Sequence, residues 1–294
     1  MKAMAFRFTV FVAGRWPRVS YMLAWVAGWA AYAFRPGARG RAKRNLLPAC
    51  DGDRKRAARE ARKTFQNVAA YYVDMAALPT RDVSRIEAQD LEIVNAEYLE
   101  ALWKPGPLIG VSAHMGNPEI AVQALTPRGR QFAALVEQLR PESFARVFKQ
   151  TRESAGGLFV EANRAGLRTA VEQLRRGNVI GITGDRDIQG RGVCVDLLGR
   201  RARLPRGPWE LARKEHAMVL PVFCERLQGP RMRVHIEEPF RVECSDQPER
   251  DICDAMQRWA KLFERRLREA PGQWYVLEDY WGIHQCRGNG EYGG

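Results

Sequence analysis

Between Leu91 and Glu269 the chain keeps switching its hydrophobic period, and that alternation limits the folds open to it more than any other feature. Short apolar runs at LEIVN (91–95), GPLIGVSA (106–113), QFAALV (131–136), GLFVE (157–161), VIGIT (179–183), AMVLPVFCERL (217–227) and MRVHIEEPF (232–240) read as strands. Amphipathic stretches over 142–155, 164–176, 207–216 and 249–269 read as helices, the second with Asn163 as N-cap and Gly177 as its stop. Alternation of this kind predicts an α/β fold with a mostly parallel central sheet flanked by helices. Upstream, Ala61, Phe65, Val68, Tyr72 and Met75 recur at spacings of four, three, four and three, which makes one apolar face of a helix from Arg54 to Leu78 that Pro79 stops. Asn95 is expected to cap a helix starting at Ala96.

The N-terminus has a different character. VSYMLAWVAGWAAYAF, Val19 to Phe34, carries no charge, yet it falls short of the roughly 20 residues a spanning helix needs. The apolar stretch before it is broken by Arg7, Arg15 and Pro17, so a helical hairpin lying in the membrane interface is expected, its tryptophans at the headgroup level. RPGARGRAKR, Arg35 to Arg44, then supplies a basic flank suited to an anionic, cytoplasm-facing leaflet. A first core helix followed by a solvated basic loop is the competing reading. The simplest partition is an anchor over 1–50, one catalytic domain over 51–284 and a mobile tail over 285–294.

Lys and Arg number 47 against 34 Asp and Glu, an excess that favours polyanionic partners: an anionic bilayer, an acidic carrier or nucleic acid. The arginines are scattered and form no basic cluster interleaved with aromatics, so no nucleic-acid partner is expected. Six cysteines form no CxxC pair and no ligand spacing with the four histidines, which predicts reduced thiols and no metal.

The chemistry is concentrated after two strands. In LIGVSAHMGNPEI, His114 stands at the carboxyl end of an apolar strand, where ligands of open α/β sheets bind. Asn117 and Pro118 make an N-cap and first-turn pair, and Glu119 lies in the first turn of the next helix; the turn at Gly116 is expected to fold Glu119 back onto His114. Such a pair is a general-base unit, in which the carboxylate fixes the imidazole tautomer and the other ring nitrogen takes a proton from an attacking hydroxyl. No GxSxG, HExxH, P-loop or helix-opening GxGxxG is present. After VIGIT come Asp185, Arg186 and Asp187, three consecutive charges that are costly behind an apolar strand unless paired or exposed in a cleft.

HMGNPE, VEQLRPESFARVFKQTRES, GDRDIQGRGVCVDLLGRRARLPRGP and PGQWYVLEDYW resemble, in order and spacing, the bacterial lipid A and phosphatidylinositol mannoside acyltransferases. The resemblance covers nearly the whole chain. It implies an acyltransferase domain at the cytoplasmic face of the inner membrane, moving a fatty acyl group from a thioester of coenzyme A or acyl carrier protein to a glycolipid hydroxyl, with no further cofactor. His114 becomes the general base, oriented by Asp185 or directly by Glu119. Glu137, Arg152, Arg186 and Asn117 are expected around the substrate, Arg152 as an oxyanion or phosphate partner. Met115 and Pro118 depart from the family's common aromatic and Trp at those places, which leaves the acceptor open. A thioesterase, a lysophospholipid-directed acyltransferase and a non-catalytic lipid-binding protein remain the alternatives.

Overall fold

The computed structural model describes residues 2–126 and 130–286, except the side chain of Ser84. Helices α1 (Lys2–Arg15), α2 (Pro17–Phe34), α3 (Pro36–Leu46), α4 (Arg54–Ala77) and α5 (Val83–Asp90) lead into strand β1 (Leu91–Val94). Then come α6 (Glu100–Trp103), β2 (Leu108–Ser112), α7 (Pro118–Leu125), β3 (Phe132–Val136), α8 (Glu142–Glu153), β4 (Leu158–Glu161), α9 (Arg164–Arg175) and β5 (Val179–Thr183). The remainder is β6 (Val193–Leu197), β7 (Arg200–Leu204), α10 (Gly207–Lys214), β8 (Met218–Arg226), β9 (Met232–Ile236), β10 (Phe240–Arg241), α11 (Pro248–Glu269) and α12 (Tyr280–Ile283).

The main sheet runs β1, β9, β8, β2, β5, β3, β4, with β10 added beside β8. From β8 to β4 every neighbouring pair is parallel; only β9 and β10 pair antiparallel to β8. The expected mostly parallel α/β sheet is therefore what the chain forms. β2 sits in the middle, buried along its whole length, as its apolar run from Leu108 to Val111 requires. Caps act where the sequence put them: Asn163 accepts from the amides of Ala165 and Gly166 at the start of α9. Asn95 does not cap; its backbone is left-handed and its amide donates to the Ile236 carbonyl.

Residues 193–204, outside the strands expected from sequence, form a two-stranded antiparallel ribbon, β6 with β7. Val195, Leu197, Ala202 and Leu204 point inward while arginines occupy the outer positions, and Leu198 and Gly199 turn the chain with positive φ. Cys194 of this ribbon is disulfide-bonded to Cys286, which corrects the expectation of thiols alone. The C-terminal segment brings them together: Gln285 bridges Ala202 and the Arg203 amide donates to the His284 carbonyl. Gln285 and Cys286 are thus pinned to the ribbon, while residues 287–294 of the expected mobile tail lie outside the described residues. Cys50, Cys224, Cys244 and Cys253 are free thiols.

At the N-terminus, α2 packs on α4 through Ser20, Ala24 and Gly28, one small residue per turn. A Cβ on Gly28 would stand 2.5 Å from the Gln66 Cα, so the two helix backbones touch. Phe6 of α1 packs inward on Phe144 and Phe148, but most large apolar side chains of α1 and α2 face outward: Met4, Phe8 and Phe11 on α1, and Val19, Met22, Leu23, Trp25, Val26 and Trp29 on α2. Among the described residues no helix is long and apolar enough to cross a membrane. The basic stretch after it is helix α3 rather than a loop, and Ala42, Leu46, Ala49 and Cys50 join the main core beneath α11.

Candidate active site

Because β2 and β5 are parallel neighbours in register at Ser112 and Thr183, residues two positions beyond that pair emerge side by side at the carboxyl edge of the sheet. Those residues are His114 and Asp185. His114 Nδ1 lies 2.8 Å from Asp185 Oδ1. An ionised carboxylate can only accept, so Nδ1 carries the hydrogen, and in the neutral ring Nε2 is the nitrogen with the free lone pair. The second Asp185 oxygen accepts from the indole N–H of Trp274 at 2.8 Å, and its backbone carbonyl accepts from the Tyr280 hydroxyl at 3.0 Å. Asp185 is wholly buried. Burial alone would raise its carboxyl, but the His114 ring, the two hydrogen bonds and the charge of Arg186 hold it below the ordinary carboxylate range.

The loop carrying His114 is fixed on both sides. The Tyr275 amide donates to the His114 carbonyl at 2.9 Å, Met115 bridges Trp274, and the Tyr275 ring meets the imidazole edge-to-face at 5.7 Å between centroids. Gly116 has φ +57°, and a Cβ there would stand 2.5 Å from the Cys224 carbonyl oxygen, so the turn requires glycine.

Glu119 departs from its expected place. As the second residue of α7 it faces α4 and α8, and its Oε1 accepts from Tyr71 at 3.0 Å and Arg152 at 2.7 Å instead of reaching His114. Arg152 is correspondingly not a surface or phosphate-holding arginine. It is buried, its guanidinium stacked over the Phe148 ring and spent on Glu119 and Tyr71. Asn117 is also withdrawn from any substrate: it has no exposed surface, its oxygen caps α7 at the Ile120 amide, and its amide donates to Asp74 at 2.9 Å.

Glu137 and Arg186 stand beside the imidazole. Glu137 follows β3, on the far side of β5 from β2, and its Oε1 is 4.0 Å from His114 Nε2. Arg186 bridges it to Glu278, at 2.5 Å from Glu137 Oε1 and with two 2.8 Å bonds to the Glu278 carboxylate. The hydrogen bond from His284, then those from Arg186, lower the Glu278 carboxyl to about 2. Asp187, the third of the consecutive charges, is paired with Arg203 and accepts from the Gly192 amide. Among the described residues no group of three or more His, Cys, Asp and Glu side chains could hold a metal ion.

Tyr71, Trp274, Tyr275, Glu278 and Tyr280 were not singled out as site residues from the sequence. Four of the five lie in PGQWYVLEDYW, a stretch whose dense aromatics and acids were the available signal.

A histidine oriented by a buried carboxylate at the carboxyl edge of a parallel sheet is an arrangement able to accept a proton from a hydroxyl. The chain belongs to the family described as bacterial lipid A biosynthesis acyltransferase, whose profile matches residues 15–282. It is an acyltransferase. Phosphatidylinositol mannoside acyltransferase of Mycolicibacterium smegmatis is 28% identical over 225 residues, which is 75% of this chain and 71% of that protein. The enzyme of the same name from Mycobacterium tuberculosis is 28% identical over 224 residues, 74% and 69% of the two chains. The crystal structure of the 1-acyl-sn-glycerophosphate (LPA) acyltransferase PlsC of Thermotoga maritima superposes with a TM-score of 0.40 and 15% identity, covering 85% of this chain and 98% of that one.

Proposed function

We propose that the enzyme transfers a fatty acyl chain from a thioester, on coenzyme A or acyl carrier protein, to a hydroxyl of a glycolipid of the phosphatidylinositol mannoside or lipid A kind. The observation that carries this reading is the His114–Asp185 pair, with Nε2 on the side of the ring away from Asp185 and 4.0 Å from Glu137, which Arg186 holds. In the reaction Nε2 takes the proton of the acceptor hydroxyl as its oxygen attacks the thioester carbonyl carbon. The tetrahedral oxyanion collapses, the C–S bond breaks, and the leaving thiolate takes the proton from the imidazolium, giving ester and free thiol. Asp185 stabilises that imidazolium and keeps the tautomer.

The exposed apolar side chains of α1 and α2 support peripheral seating on a membrane, and the adjoining basic α3 suits an anionic cytoplasmic leaflet. The protein is expected to sediment with vesicles of anionic phospholipid. Replacing Trp25 and Trp29 by serine should weaken that binding by roughly tenfold or more, given about 25 cal/mol for each Å² of apolar surface taken from water. Equal binding by the double variant would remove these helices from the membrane contact.

The reaction itself is tested by mass spectrometry of lipids after incubation with labelled palmitoyl-coenzyme A and a bacterial lipid extract, comparing wild type with His114→Ala. A labelled glycolipid formed by wild type alone is the expected result. Labelled free fatty acid in its place would mean a thioesterase, labelled phosphatidic acid a glycerolipid acyltransferase. Equal transfer by both proteins would discard His114 as the base. If neither transfers, the same comparison with palmitoyl-acyl carrier protein decides between the donors.

A further inference from the structure

Asp74 lies on α4 with its carboxylate wholly buried, and it gathers partners from three other parts of the chain. The Tyr21 hydroxyl of α2 donates to Oδ1 at 2.6 Å. The Asn117 amide, in the loop after His114, donates to Oδ2 at 2.9 Å. The Arg226 guanidinium at the end of β8 bonds both oxygens. Arg226 is itself clasped through its backbone by Gln273, whose side chain accepts from its amide and donates to its carbonyl, both at 2.9 Å. The Gln273 carbonyl in turn accepts from the Gly116 amide. One carboxylate therefore joins the helix that bears the outward apolar face to the end of the turn that follows His114, directly at Asn117 and through Arg226 and Gln273 at Gly116.

We infer that Tyr21 is a positioning residue: through Asp74 and Asn117 it ties the seating of the α1–α2 pair to the placement of the His114 loop. The inference rests on the acyl-transfer reading for its consequence on rate. The physical content is that Tyr21 offers a single O–H to a buried carboxylate oxygen already shared with Arg226. Without that donor, α2 keeps its small-residue contact with α4 but no longer acts on the carboxylate that holds Asn117.

The test compares Tyr21→Phe with Tyr32→Phe in the full chain. Tyr32 is also on α2 and also bonds α4, through the Ala58 carbonyl at 3.2 Å, but that bond leads nowhere near the histidine. The readouts are kcat and KM for the transfer assay and amide hydrogen exchange over residues 115–120, where the Ile120 amide is held by Asn117. The expected result for Tyr21→Phe is a fall in kcat of about tenfold, the scale of one hydrogen bond to a buried charge, with KM unchanged and exchange of Ile120 faster by a similar factor. Tyr32→Phe should leave all three at wild-type values. Indistinguishable exchange in the two variants, or faster exchange with kcat intact, would overturn the inference. If wild type transfers no acyl group, or His114→Ala transfers as well as wild type, it is the functional reading that fails, and the exchange comparison still decides whether Tyr21 holds the loop.

Discussion

Asp185→Asn is expected to lower kcat by about three to four orders of magnitude while leaving the fold in place, the scale seen when a catalytic histidine is given the wrong tautomer. The carboxylate accepts two hydrogen bonds, from His114 Nδ1–H and from Trp274 Nε1–H. A carboxamide of the same shape offers one oxygen and one NH2. With the oxygen towards Trp274, its NH2 faces Nδ1 and stabilises the tautomer whose hydrogen sits on Nε2, where a base is needed. With the oxygen towards His114, two N–H groups oppose each other at Trp274, both residues being fully buried. Either way the imidazolium loses its counter-charge. Steady-state kinetics read the loss as kcat; a variant within tenfold of wild type would mean that Asp185 neither fixes the tautomer nor supports the charge. The same substitution changes acid stability. The folded carboxyl lies below its unfolded value of about 3.9, so its stabilisation is present above that pH and is lost as pH falls through the folded value. Asp185→Asn should therefore flatten that part of the acid denaturation curve.

The sheet and its helices could be read from sequence because their burial obeys a simple period: β2 is apolar up to its last residue, and α9 begins at a capping asparagine. The ribbon of β6 and β7 could not, since only one face of it is covered and its outer arginines outweighed the inward Val195, Leu197, Ala202 and Leu204. On α4 the apolar repeat points to Tyr72, which is exposed; Tyr71 and Asp74 go inside instead, because their polar atoms find partners on other elements. At the site, the strand ends located His114 and Asp185, but the spacing of His114 and Glu119 suggested a contact that α7 forbids by turning Glu119 towards Arg152. Which carboxylate orients the histidine is decided by strand order, with β5 placed beside β2, and one sequence carries no local signal of strand order. The Cys194–Cys286 bond was hidden for a related reason: 92 residues separate its ends, and no spacing marks it.

Asp74→Ala should destabilise the protein by about 3–5 kcal/mol, the effect of removing one partner from a buried ion pair. Arg226 is almost entirely enclosed, and among the described residues its guanidinium bonds, apart from Asp74, only the Gly229 carbonyl, with Nε unpartnered. Removing the carboxylate leaves a full positive charge, the Tyr21 hydroxyl and the Asn117 amide without their acceptor at once. Against a total stability of about 5–15 kcal/mol for a folded protein, that loss lowers the midpoint of urea unfolding substantially. The pair Asp74→Leu with Arg226→Met removes both charges, and filling the space with apolar atoms should recover most of the stability. It should not recover activity, because Asn117 and Tyr21 still lack the shared acceptor that holds the turn beneath His114. A single variant within about 1 kcal/mol of wild type would mean that solvent reaches Arg226 and that the cluster is no more than a surface pair. Recovery of both stability and kcat in the double variant would reduce Asp74 to packing and detach it from the histidine loop. The two measurements together thus separate the energy of the cluster from its role in shaping the site.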